Sequence, residues 1–201
     1  YIPAFQAAFA EQLQEISAIT RVRSMPMFEN TLEAWERTGE QLEYVTNAFY
    51  TVSSADATAE IQAVEEELAP LYAAHNDAII LDTFLYSRVK TVWESRNERE
   101  YTPEQRYLIE RRYAEMTHAG AGLDDDAKTR LKELNARLAT LTTSFEKNLL
   151  GDTNRLAPLF ADASALDGAT PGELDAARAA AAERGEEGYL LSLPLFTGHP
   201  L

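Results

Sequence analysis

Apolar residues recur at three- and four-residue steps along most of the chain, the period of an amphipathic helix. From Pro3 to Arg21 the stripe is Phe5, Phe9, Leu13, Ile16 and Ile19 or Thr20. Pro3 suits a first helical turn, where its missing N–H has no intrahelical partner to lose. Ser24-Met25-Pro26 breaks the pattern, because the residue before proline avoids the α region. A second helix is predicted from Asn30, with Asn30 as its cap and Glu33 returning the bond as a capping box. It carries Leu32, Trp35, Leu42, Val45, Phe49 and Val52; Gly39 inside the run is open to a kink or a break, and the expectation is continuity with a weak point. The third helix is expected from Thr58 to Leu81, with Ile61, Val64, Leu68, Leu71 and His75 in phase, and with a bend at Pro70. Asp82 is the predicted cap of a fourth, carrying Phe84, Leu85, Val89, Val92 and Trp93.

Thr102-Pro103-Glu104-Gln105 is a strong helix start, and Gly120-Ala121-Gly122 ends that helix after Leu108, Ile109, Tyr113 and Met116. Asp124 or Asp125 caps the longest helix, which is expected to end near Gly151. Its Leu131, Leu134, Leu138, Leu141, Phe145 and Leu149 predict the seam of an antiparallel bundle or coiled coil. The pattern then changes. Leu156 to Phe160 reads as an edge strand containing Pro158. Pro171 to Arg184 reads as a helix closed by Gly185, and Tyr189 to Leu193 as a second strand. The expected fold is mostly α: an antiparallel bundle of six to seven helices over residues 1–151, then a β-hairpin and short-helix extension over 152–201. Two short strands do not make an independently stable sheet. Together with a first residue other than Met, this predicts an N-terminal piece of a larger protein. A naturally short protein with a terminal hairpin stays open beside it.

Composition narrows the function. The 201 residues are 45% hydrophobic, too many for a chain disordered throughout. There are 18 Lys and Arg against 33 Asp and Glu, a net charge of -15. Residues 1–100 hold 7 basic and 17 acidic side chains, and residues 101–201 hold 11 and 16. Neither half is basic, which argues against nucleic acid and against an anionic membrane surface as partners. With no cysteine, disulfides, thiolate zinc sites and cysteine nucleophiles are excluded within the chain. No apolar run approaches the ~20 residues of a membrane span.

Candidate chemistry is sparse. The histidines, His75, His118 and His199, are far apart, and no His-Glu-x-x-His word occurs. Glu115-Met116-Thr117-His118 has the Glu-x-x-His spacing of di-iron bundles, but those need a second pair, and Tyr72 and Phe196 stand three before the other histidines. His118 therefore reads as a helix-end residue beside the negative dipole end. His75 falls on an apolar stripe and reads as a satisfied core or boundary histidine; His199 reads as a loop residue. Glu65-Glu66-Glu67 and Asp124-Asp125-Asp126 read as surface features, the second favoured by a helix N-terminus. Trp35 and Trp93 lie in core phase. No glycine-rich phosphate loop and no G-x-S-x-G elbow is present. The residues thus give no catalytic, cofactor-binding or metal-binding set.

Particular words say more than the periodicity. Tyr1-Ile2-Pro3-Ala4-Phe5, Glu15-Ile16 and Phe28-Glu29-Asn30-Thr31-Leu32-Glu33 come first. Glu67-Leu68-Ala69-Pro70, Ala74-His75-Asn76-Asp77-Ala78-Ile79 and Arg88-Val89-Lys90 follow. Ala119-Gly120-Ala121, Leu131-Lys132-Glu133-Leu134-Asn135 and Phe145-Glu146-Lys147-Asn148-Leu149 complete the series. In order and spacing these resemble the N-terminal region of the thimet-oligopeptidase family of zinc metallopeptidases, which includes bacterial peptidyl-dipeptidases and oligopeptidases. The resemblance implies two largely helical halves around a narrow channel, with the His-Glu-x-x-His zinc site and a further Glu ligand in the C-terminal half. It implies that the N-terminal helices form a wall and lid admitting short peptides, that the partner is the C-terminal catalytic half of the same polypeptide, and that the compartment is the cytoplasm. Zinc is implied for the full-length parent and no cofactor for this chain, which alone is expected to be inactive. The rival expectation is a stand-alone helical interaction protein that binds a partner helix or peptide.

Overall fold

The computed structural model describes residues 1–191. It is mostly helical with one small antiparallel two-stranded sheet. The chain divides into two compact units, Tyr1–Thr143 and Ser144–Leu201.

In the first unit, α1 (Ile2–Thr20) is followed by a π-helical turn (Glu29–Glu33) that runs into the short α2 (Ala34–Glu36). Then come α3 (Glu40–Ala55), α4 (Ala59–Ile80), α5 (Thr83–Glu94) and α6 (Pro103–His118). The helix α7 (Asp125–Arg155) begins here and extends beyond Thr143. Its start is capped by Asp124, whose carboxylate accepts from the Ala127 N–H at 2.8 Å.

α1 serves two cores. Phe5, Ala8 and Phe9 pack with Leu42, Phe49 and Leu68. One helical turn or more further on, Ile16 and Ile19 join Leu32, Trp35, Leu85, Val89 and Ile109. Phe5 meets Phe49 edge-on at 5.7 Å, the geometry that sets a ring's positive edge on a negative face. Each of these fully buried rings contributes about 1.5–3 kcal/mol through removal of apolar surface from water.

Several helix ends form as the sequence dictates. Asp82 caps α5 by accepting from the Leu85 N–H at 2.6 Å. Thr102 and Gln105 form a complete capping box on α6. Gly120, at φ +96°, closes α6 as a Schellman motif: its N–H reaches the Thr117 carbonyl, and the Ala121 N–H reaches that of Met116. A Cβ on Gly120 would also lie 2.8 Å from Leu131, so the same glycine lets α7 approach. α4 continues through Pro70 as one helix.

Other expectations are corrected. The second helix does not run through Gly39; it breaks there, with Gly39 left-handed at φ +84° and its N–H donating to the Glu15 carboxylate at 2.8 Å. Asn30 does not cap a helix. Its side-chain oxygen accepts from the Met27 N–H and from Arg88, so its capping capacity is spent elsewhere. Leu13, Val52 and Phe84, placed on core stripes, are exposed. The most consequential correction concerns α7. The seam residues Leu134, Leu138, Leu141, Phe145 and Leu149 are all exposed, with only Leu131 half-buried. The helix also runs one turn past Gly151.

The second unit contains the end of α7, β1 (Leu159–Phe160), a 3₁₀ turn (Ala163–Leu166), α8 (Pro171–Glu183) and β2 (Tyr189–Leu190). β1 pairs antiparallel with β2, Leu159 opposite Leu190 and Phe160 opposite Tyr189. The edge strand is thus shorter than the predicted Leu156–Phe160. α8 starts on a full capping box of Thr170 and Glu173. Its Ala177 and Ala181 are buried, as is Leu190, and Arg178 stacks on and hydrogen-bonds to Tyr189. A helix over one face is what lets so small a hairpin form. The predicted strand positions Ser192 and Leu193, and His199, lie outside the described residues.

Candidate functional site

Polar side chains that the sequence scatters are gathered into three knots and one groove, all in the first unit. The first knot centres on Arg88, which is 7% exposed on α5. Its guanidinium donates to the Val22 carbonyl at 2.9 Å, the Asn30 carbonyl at 3.2 Å, the Asn30 side-chain oxygen at 2.8 Å and the Thr31 hydroxyl at 3.2 Å. Asn30 in turn donates to the Ser24 hydroxyl and the Met25 carbonyl. All these acceptors are neutral, and the Nε is buried without a partner. Burial lowers the pKa of the group. The arginine is a clamp on the 22–31 segment. The Asn30-Thr31 word and the Arg88-Val89-Lys90 word, both singled out from the sequence, meet here.

The second knot holds His75, 6% exposed on α4. Its Nε2 lies 2.7 Å from the Gln12 side-chain oxygen, and the Gln12 amide nitrogen donates to the Thr38 hydroxyl at 3.4 Å. That arrangement fixes the tautomer: Nε2 carries the proton and donates to Gln12. The ring stacks on Phe9 at 4.4 Å, and the buried Nδ1 has no partner. Burial lowers the His75 pKa, so the imidazole is neutral. It sits at the core position that its helical phase implies, but it is not fully satisfied, because Nδ1 has no partner. Beside it, Arg112 stacks over Trp35 at 4.7 Å and pairs with Glu36 at 2.6 Å and Glu115 at 3.0 Å.

Glu115 therefore does not team with His118. Burial pushes its carboxyl up, but Arg111 and Arg112 outweigh that and hold it below the ordinary range. His118 is exposed at the end of α6. Of the acid triplets, Glu65 accepts from the Ser53 hydroxyl and Asp124 caps α7. Among the described residues, no three of His, Cys, Asp and Glu gather so as to hold a metal ion. Among them also, no helix is long and apolar enough to cross a membrane.

The third knot joins α7 to α4. Asn135 donates to the Asp77 carboxylate at 2.7 Å. Asp77 is buried; desolvation raises its pKa, with the Asn135 bond and the charge of Lys132 opposing. Nearby, Lys128 is buried and donates to the Thr83 hydroxyl at 2.8 Å. Above this contact α4 and α7 leave a groove of about 410 Å³, lined by small and polar side chains that include Ala69, Ala73, Asn76, Ala139 and Thr142. Sequence reasoning missed Arg88, Gln12 and the Asp77–Asn135 pair. The signal existed. Gln12 lies in phase with Phe5, Phe9, Ile16 and Ile19, and Arg88 in phase with Leu85 and Val92, so each is a polar residue at a core position.

No protein-family model matches the chain. Among curated proteins it is 34% identical, over all 201 of its residues, to a dipeptidyl carboxypeptidase of Salmonella typhimurium. It is 33% identical over the same span to a dipeptidyl carboxypeptidase of Escherichia coli. An oligopeptidase A of Haemophilus influenzae is 24% identical over 181 residues. The chain covers 30%, 30% and 27% of those three proteins, so it spans about 30% of the length of the curated relatives it matches. The likeness read from the sequence words thus extends over the whole chain.

Proposed function

We propose that this chain is the N-terminal helical wall and lid of a zinc-dependent peptidyl-dipeptidase of the cytoplasm that hydrolyses short peptides. The observation that carries the reading is the whole-chain match to proteins named as dipeptidyl carboxypeptidases, of which the chain covers 30%. The residues present do not fit a zinc centre: the sequence has no His-Glu-x-x-His word, and the described residues bring no ligand set together. In this reading the metal, which would polarise the scissile carbonyl and activate water, belongs to the remainder of the polypeptide. This chain contributes shape. Its clamped 22–31 segment and the α4–α6 helices make a rigid wall, and by itself the chain is inactive. The partners are then the C-terminal catalytic half and short peptide substrates.

The test is cleavage of a short blocked peptide by this chain and by the full-length gene product, side by side, with and without chelator. Chelator-sensitive cleavage by the long product alone is expected. Chelator-sensitive cleavage by this chain would overturn the claim that the metal site lies elsewhere, and inactivity of both would overturn the reading as a whole. The exposed leucines of α7 also suit a second reading, a stand-alone protein that binds a partner helix. A stop codon shortly after Leu201 in the gene would favour it, and a downstream His-Glu-x-x-His would exclude it.

A further inference from the structure

Soluble surfaces carry single exposed apolar residues without consequence, but an ordered row of them marks a contact. In the first unit Leu134, Leu138 and Leu141 are 48%, 63% and 54% exposed on α7. Leu138 also lines the groove that α7 forms with α4. Positions 69, 73 and 77 on α4, and 135, 139 and 143 on α7, are spaced by four, so each set makes a ridge along its helix. The ridges carry alanines, Thr143 and the bonded Asp77–Asn135 pair. Two walls of small side chains with an aliphatic lip form a slot, and large side chains repeating at three and four residues fill such a slot.

We infer that the α4–α7 groove seats an amphipathic helix from the remainder of the longer polypeptide, with its large aliphatic side chains against Ala69, Ala73, Leu138 and Ala139. This rests on the reading above. Two observations choose this occupant over a second copy of the chain. The curated relatives extend well beyond the span matched here, and a segment of the same polypeptide docks at high effective concentration. Charge agrees. The whole chain is at -15, and Asp77 lines the groove itself. Two copies at that net charge repel one another, which a less acidic segment of the same polypeptide does not.

The experiment compares this chain with the full-length gene product. Backbone hydrogen exchange is read at residues 134–143, and melting is read for Ala139→Glu and for the exposed, non-groove control Thr140→Glu. In the full-length product, exchange across 134–143 is expected to slow by on the order of tenfold relative to this chain. Ala139→Glu is expected to lower the melting temperature of the full-length product by several degrees and to leave this chain unchanged; Thr140→Glu leaves both unchanged. Equal exchange in the two proteins, with Ala139→Glu silent in the full-length product, overturns the inference. If that product still cleaves peptide with zinc, the peptidase reading stands without it. A dimer of this chain that Ala139→Glu dissociates, and that persists in the full-length product, assigns the groove to a second copy and also overturns the inference.

Discussion

Arg88→Met tests whether the 22–31 segment is held from inside. Arg88 makes four hydrogen bonds to three residues. Val22 is exposed enough for water to replace its bond, and the Asn30 side-chain oxygen keeps the Met27 N–H, so the loss falls on the Asn30 carbonyl and on the fully buried Thr31. A buried acceptor deprived of its donor costs about 1–3 kcal/mol. Methionine keeps most of the aliphatic packing and removes a desolvated cation that faces no carboxylate, which offsets about 1 kcal/mol. The expected net loss is about 2–3 kcal/mol. Arg88→Lys should lose about half as much, because a single ammonium cannot span the same forked set of acceptors. Urea unfolding followed by Trp35 and Trp93 fluorescence reads the energy, since both indoles pack in or against the core that Val89 and Val92 share. Trypsin reads the mechanism: cleavage after the exposed Arg21 and Arg23 should accelerate in Arg88→Met under native conditions. An unchanged urea midpoint with unchanged tryptic cutting would refute the clamp.

Three further outcomes are expected. The folded pKa of His75 is lowered by burial, so below about pH 6.5 the unfolded chain takes up a proton that the folded chain refuses. The His75 contribution is therefore full above that pH and declines as pH falls toward the folded value. His75→Phe should flatten this part of the pH dependence of the urea midpoint, and an identical slope in the variant would exclude the assignment. The folded pKa of Asp77 is raised, so its ionised form costs stability at neutral pH and the cost is relieved as pH falls through the folded value. Asp77→Asn keeps an acceptor for Asn135 and should be neutral or stabilising by up to about 1 kcal/mol at pH 7; a clear loss would mean that the charge itself is needed. Gly39→Ala should cost about 1–2 kcal/mol for its left-handed backbone. Its Cβ would also fall 2.4 Å from the Gln12 amide nitrogen, so it should disturb the His75 pH slope as well, which calorimetry at two pH values would check.

The helices were legible because burial follows a period and their ends follow capping chemistry. Thr58, Asp82 and Thr102 each cap the helix they were expected to open. The failures have one physical origin: local signals do not say what lies opposite. Asn30-Thr31-Leu32-Glu33 is a sound capping-box word, but Arg88, 58 residues away in sequence, takes the Asn30 oxygen. Gly39 reads as a tolerated helix glycine until Glu15 offers its N–H an acceptor and the chain breaks there. Likewise Leu13 looks like core by composition, yet the helix turns Gln12 inward to meet His75. In the candidate knots the core phase of Gln12 and Arg88 was legible but their partners were not, since each knot joins residues at least 50 apart.

The words that carry the peptidase likeness sort by what they touch. Asn30-Thr31 and Arg88 meet in one knot, Asp77 and Asn135 in another, and Gly120 gives way to Leu131. These words record packing demands, so a match in them speaks to shared architecture before shared chemistry. Phe145-Glu146-Lys147-Asn148-Leu149 differs. Phe145 and Leu149 are 66% and 55% exposed, so the apolar positions of that word are not spent on a core within their own unit. An apolar word kept at helical spacing and left in water costs solubility without adding stability, which is understandable if something covers it. The same argument applies separately to Leu138 in the first unit. A concrete consequence follows for Phe145→Ser: in this chain it should leave the melting temperature within about 2 °C, because a surface change off the core moves stability by less than ~0.5 kcal/mol. In the full-length gene product it should lower the melting temperature by several degrees. Equal, small effects in both proteins would show that the word has no partner, and the case for a larger helical assembly would lose the support of its most exposed residue.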